Sequence, residues 1–170
     1  MAYQDEGNVP TARRFRGRLL KVALAAVLPL VPLSVVYGQA EDPVEKRQQL
    51  MRELDDDAET LGTIAALAPS AKGAQLATYK TQMAEASRRV ATAAKESHEL
   101  FKANVPGGRS KPEIWTNWAD YNAKMEAFVA NSEKMAKVAE TGDLHAVTEL
   151  LVDALPCKGC HDVYREKKTS

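Results

Sequence analysis

Four stretches of this chain repeat apolar residues at alternating spacings near three and four, and each is bounded by residues that start or stop a helix. Asp42-Pro43-Val44-Glu45 opens the first, with an N-cap aspartate, proline at the first helical position and glutamate three residues after the cap. Its stripe runs Val44, Met51, Leu54, Ala58, Leu61 and Ala65, and Arg47 occupies one place on it. Ala68-Pro69-Ser70 breaks the pattern, and a second, long helix carries Leu76, Tyr79, Met83, Ala86, Val90, Ala93 and Leu100 up to about Phe101. Val105-Pro106-Gly107-Gly108 reads as a loop, and Ser110-Lys111-Pro112-Glu113 as a capping box before Ile114, Trp118, Tyr121, Met125, Phe128, Met135 and Ala139. Thr141-Gly142-Asp143 ends this third helix and caps a fourth from about Leu144. Each stripe needs a like partner, and short loops make an antiparallel up-and-down four-helix bundle the simplest topology. The expected fold class is all-α, and the Asp55-Asp56-Asp57 run reads as a solvated helix face.

Residues 1–40 stand apart. Arg13, Arg14, Arg16, Arg18 and Lys21 precede an uncharged apolar run from Val22 to about Val36, which ends in Gly38-Gln39-Ala40. Those are the parts of a secretory signal in order, so cleavage is expected after Ala40, leaving a domain at 41–170. A retained anchor is the competing reading, but a run of this length broken by Pro29 and Pro32 is short for a bilayer that needs about twenty residues. The Arg-Arg pair lacks the rest of a twin-arginine pattern, so Sec export to the periplasm is expected. Residues 41–170 hold 18 basic and 21 acidic residues, which leaves no basic surplus to argue for nucleic acid as a partner.

The chain's two cysteines lie in Cys157-Lys158-Gly159-Cys160-His161, the spacing of c-type haem attachment. Each thiol adds to one of two vinyl groups on one porphyrin edge, and the adjacent histidine swings under the iron as its proximal ligand. A thioredoxin-like pair would need a βαβ context, which the pattern lacks. A structural zinc would need about four ligands, and only His98 and His145 remain as soft partners. A disulfide between cysteines so close would staple almost nothing. Haem c is the expected cofactor; a zinc- or disulfide-containing helical binding module is the reading from another class, and a Soret band separates the two.

With these residues in view, the chain from about 42 to 168 resembles the cytochrome c′ family, the four-helix-bundle class of bacterial c-type cytochromes. The resemblance rests on Cys157-Lys158-Gly159-Cys160-His161-Asp162-Val163-Tyr164-Arg165 near the C-terminus, on Arg47-Gln48, and on Lys111-Pro112-Glu113-Ile114-Trp115. It implies thioethers at Cys157 and Cys160, His161 as proximal ligand, and Met51 over the distal side of the iron as either gate or ligand. It further implies propionate contacts from Arg47 and Gln48, and a proximal contact from Arg165. Pro156, directly before Cys157, departs from a continuous helix, so a kink or restart is expected there. The second helix is longer than the family's, which blurs whether His98 and Phe101 line the pocket.

Function then turns on Met51. An open, five-coordinate, high-spin iron implies binding of nitric oxide or carbon monoxide, or electron transfer, and is the favoured reading. Ligation by Met51 implies a low-spin His/Met electron carrier. No paired carboxylates, second metal constellation or nucleophile with a base stands out, so an enzyme is not expected. The partners implied by the resemblance are electron-transfer proteins, small gases and a second copy of the chain.

Overall fold

The computed structural model describes residues 41–168; the leader expected at 1–40 lies outside the described residues. Six α-helices follow in order: α1 (Pro43–Leu67), α2 (Gly73–Lys102), α3 (Glu113–Thr116), α4 (Trp118–Ala139), α5 (Leu144–Ala154) and α6 (Cys157–Tyr164). Asp42 caps α1 by accepting from Val44 N at 2.9 Å, and Asp143 caps α5 by accepting from Ala146 N at 3.0 Å, as the sequence predicts. A 3-10 turn at Ala68–Ser70 joins α1 to α2. The four long elements make the bundle: α2 packs against α1 and α4, α4 against α5, and α5 closes back on α1. Leu61, Met83, Val90, Met135 and Val147 are fully buried between them. Each such side chain contributes about 2 kcal/mol of apolar burial.

The seam of α1 is Arg47, Leu50, Leu54, Asp57, Leu61 and Ile64. It shares Arg47, Leu54 and Leu61 with the expected stripe, whereas Met51, Ala58 and Ala65 are half-buried on its flank. Both sets have the same period, and a period fixes the repeat of a helix face but not its rotation toward a neighbour. The acidic run is a correction. Asp57, 5% exposed, faces inward and pairs with Arg89 of α2, whose Nη2 donates to Oδ1 at 2.6 Å and whose Nε donates to Oδ1 at 3.0 Å. Asp55 and Asp56 stay exposed.

The expected third and fourth helices are each interrupted. Ser110 caps nothing; it forms an antiparallel bridge with Arg165, and Lys111 N donates to Tyr164 O at 3.0 Å. A single turn, α3, follows Pro112, and Asn117 at φ −117°, ψ 46° separates it from α4. At Pro156 the missing N–H removes one helical bond and the ring disfavours helical backbone at Leu155, which sits at φ −127°, ψ 65°. The chain therefore restarts as α6. Gly107 and Gly108 take φ of 150° and 62°, and a Cβ on them would stand 2.7 Å from a Val44 methyl and 2.8 Å from Gln48 Nε2. Only glycine lets this loop lie flat against α1.

Ser87 and Ser97 are buried with hydroxyls that have no partner. Ser87→Ala is expected to raise stability by about 1 kcal/mol, since it removes an unsatisfied group and little volume. Arg89→Ala, which leaves Asp57 buried and unpaired, is expected to cost about 2 kcal/mol. Thermal denaturation of the two variants checks both signs.

Candidate haem site

One cavity of about 760 Å³ opens beside α6, within the range of small-molecule and cofactor pockets. The flank of α1 that missed the seam forms one wall through Val44, Gln48, Met51 and Ala58. Phe101 from the end of α2, the Gly107-Gly108 loop, and Tyr121, Met125 and Phe128 of α4 form others. Cys157, Cys160, His161 and Arg165 complete it from α6 and its C-cap. Arg47, Gln48, Met51, Phe101, Cys157, Cys160, His161 and Arg165, which come from both ends of the chain, are thus brought to one cavity.

His98 is not among its lining residues. Its Nε2 lies 2.8 Å from Asn122 Oδ1, a bond between α2 and α4. The two cysteines form no disulfide with each other; Cys157 is exposed and Cys160 half-buried. Burial pushes the Cys160 thiol up, partly offset by Lys124. Burial, then Arg165 and Arg109, pull His161 down, which favours the neutral imidazole that can bind a metal. Among the described residues no group of three His, Cys, Asp or Glu side chains is placed to hold a metal ion by itself.

Arg47 is 3% exposed. Its Nη2 donates to Val105 O at 2.7 Å, and its guanidinium stacks 4.6 Å from the centroid of Phe101. Its Nη1 is buried without a partner. Burial lowers its pKa, yet an arginine keeps its charge, so the orphaned N–H requires an acceptor. A haem fits this cavity by size and by its apolar walls. Two thiols and an imidazole on one helical turn suit its edge and iron, and a carboxylate of the group would answer Nη1.

Sequence reasoning gave no role to the bonds that hold α6. Tyr164, one turn after His161, is 3% exposed and is the one buried residue of α6. Its hydroxyl donates to Asp120 Oδ2 and accepts from Asn117 Nδ2 at 3.1 Å, while its ring meets Tyr121 edge-on at 5.1 Å. Beyond it, Glu166 N donates to Arg109 O at 2.8 Å and Lys111 Nζ to Val163 O at 2.9 Å. The position of Tyr164 three residues after the histidine of the CxxCH motif was the available signal, but nothing in the sequence paired it with Asp120.

A helical bundle whose C-terminal helix carries a CxxCH turn on a cofactor-sized cavity defines a four-helix-bundle c-type cytochrome. The sequence model of the family Cytochrome C' matches residues 42–165, and the chain belongs to that family, itself a standard example of the up-and-down bundle. It is 39% identical over 69 residues to cytochrome c' of Alcaligenes xylosoxydans xylosoxydans, an alignment that spans 40% of this chain and 54% of that protein. With cytochrome c-556 of Agrobacterium fabrum it shares 25% identity over 152 residues, 89% of this chain and 98% of the relative. A ferrous variant of cytochrome c prime from Alcaligenes xylosoxidans with bound NO superposes with a TM-score of 0.58 at 25% identity, covering 76% of this chain and 100% of that one. Haem c is accordingly the cofactor, and Cys157 and Cys160 are the cysteines of its attachment motif.

Burial and the bond to Asp120 push the Tyr164 hydroxyl up to about 12. A raised folded pKa means that this contribution is complete below the ordinary tyrosine value of about 10 and is lost as pH rises through about 12. Tyr164→Phe is expected to remove that alkaline limb of the stability curve and to speed amide exchange in α6 while the bundle stays folded. Denaturation against pH and hydrogen exchange measure the two effects.

Proposed function

We propose that the protein is an exported, periplasmic haem protein with an open axial position, which binds nitric oxide or carbon monoxide or carries electrons. In this reading Cys157 and Cys160 form the thioethers, His161 is the proximal ligand, and Arg47 with Gln48 holds a propionate. Arg165, exposed at the end of α6, steadies the proximal side. Bound haem supplies a one-electron couple and an iron that accepts small diatomic ligands. The observation that carries the proposal is the lining: His161 is its one imidazole, and Met51, Leu54, Ala58, Met125 and Phe128 present apolar surface. Those five side chains carry no hydrogen-bond donor, so a ligand held among them is favoured when it needs none, which suits nitric oxide and carbon monoxide better than dioxygen. The solved relatives support it, since variants of cytochrome c prime from Alcaligenes xylosoxidans have been determined with nitric oxide and with carbon monoxide bound.

A second reading has its own observation. Met51 lines the same cavity as His161, so its thioether is available as a sixth ligand, which would leave electron transfer as the function. Neither reading assigns a catalytic residue. Electron-transfer proteins and a second copy of the chain are the expected partners. Among the described residues no helix is long and apolar enough to cross a membrane.

Optical spectra of the ferric and dithionite-reduced protein, with and without carbon monoxide, test the choice. A Soret band, a broad reduced spectrum and a clear carbon monoxide shift are expected, and Met51→Leu should leave the reduced spectrum unchanged. Sharp α and β bands without a shift, converted to the broad form by Met51→Leu, would establish the His/Met carrier. Colourless protein would end the haem reading.

A further inference from the structure

Arg47, Phe101, Tyr121 and Tyr164 form a file of side chains from α1 to α6, and all four line the cavity. The guanidinium of Arg47 lies 4.6 Å from the Phe101 centroid, Phe101 meets Tyr121 edge-on at 5.2 Å, and Tyr121 meets Tyr164 edge-on at 5.1 Å. The hydroxyl of Tyr164 is bonded to both Asp120 and Asn117. Nη1 of Arg47 has no partner. Nor, among the described residues, has the hydroxyl of Tyr121, although that residue is only 4% exposed. A tyrosine hydroxyl so placed ordinarily finds a partner. This oxygen is not among the unpaired atoms that are sealed from solvent, namely Nη1 of Arg47 and the hydroxyls of Ser87 and Ser97. It therefore keeps accessible surface, and the cavity is the open space that Tyr121 lines. Burial pushes the hydroxyl pKa up, Cys160 adds to the rise and Arg47 opposes it, so the group stays a protonated donor. Tyr121 is in turn the ionisable neighbour that acts most strongly on Arg47, ahead of Asp42.

We propose that Tyr121 is a cofactor-binding residue whose hydroxyl donates to the same haem carboxylate that Nη1 of Arg47 holds. The inference rests on the haem reading above and adds one residue, and one electrostatic effect, to it. A carboxylate has two oxygens with about four acceptor sites, so it takes a cationic N–H and a neutral O–H together. Cys160 offers only sulfur, which accepts weakly. An axial gas ligand is the poorer match, because Tyr121 packs on Tyr164 of α6, the imidazole side, whereas Met51 stands on α1. A donor to the carboxylate draws off part of its negative charge, and ferric iron is the state which that charge favours. The hydroxyl therefore helps to hold the ferrous state. In the sequence Tyr121 is one more member of the α4 stripe, and nothing there separates its ring, which is core, from its oxygen, which is not.

The test compares the haem-loaded parent protein with Tyr121→Phe and Tyr79→Phe. Tyr79 of α2 lies outside the cavity, and its hydroxyl accepts from Gln75 Nε2. Both changes keep the ring and remove one oxygen. In resonance Raman spectra, Tyr121→Phe is expected to move a propionate bending band to lower frequency, and Tyr79→Phe to move none. In spectroelectrochemical titration, Tyr121→Phe should raise the ferric-to-ferrous ratio at a fixed applied potential about threefold, which is roughly 30 mV for a one-electron couple. Propionate bands and a midpoint that do not move in Tyr121→Phe would overturn the proposal. So would a change in the carbon monoxide stretching frequency with the propionate bands unmoved, since the hydroxyl would then face the axial ligand. A change confined to the thioether carbon–sulfur bands would overturn it too, in favour of a bond to Cys160. A parent protein without a Soret band would instead strike the haem reading, before either variant is compared.

Discussion

The bond from the Tyr164 hydroxyl to Asp120 holds the cofactor helix in register with the bundle. α6 is eight residues long and is cut from α5 at Pro156, so it inherits little order from the helix before it. Its single buried side chain, one turn beyond His161, docks on Tyr121, and the Arg109–Lys111 loop fixes the chain just after it. The imidazole and both thiols are thereby directed at the flank of α1. Remove that hold and the walls of the cavity no longer share a common reference.

Arg47 is the second commitment the structure makes. A guanidinium with 3% exposure is costly to desolvate, and one of its nitrogens lacks an acceptor. Asp57, the other buried charge of α1, has its partner within the protein and helps fix how α1 and α2 meet. The two buried charges of one seam therefore serve different ends. Asp57 is satisfied by folding, whereas Nη1 of Arg47 is left open to an acceptor in the cavity.

The bundle was legible because its signals are local. Aspartate caps at 42 and 143 and stripes of period near 3.5 each act within a turn or two of chain, and the structure follows them. CxxCH was legible because covalent chemistry fixes its spacing. What was not legible depends on rotation and on distant pairing. The sequence could not say that Leu50 and Ile64 join the α1 seam while Met51 and Ala58 turn to the cavity wall, nor that Asp57 is buried, because Arg89 lies on another helix. Ser110 looked like a cap because its local pattern is a capping box, but a bridge to Arg165, far along the chain, took its place. Tyr164 and Asp120 are likewise far apart in sequence, and their pairing exists only once α6 has folded back on α4.

The interruption between α5 and α6 has a mechanical meaning. A continuous helix transmits twist along its axis, because each turn is bonded to the next. Here Pro156 has no N–H to give, and Cys157 N bonds to Leu155 O at 2.8 Å instead of reaching back a full helical turn. The rod is divided at that point into two segments, so the direction of the imidazole is not inherited along a helix axis from α5 but is set sideways, by the ties of α6 to α4 and to the Arg109–Lys111 loop.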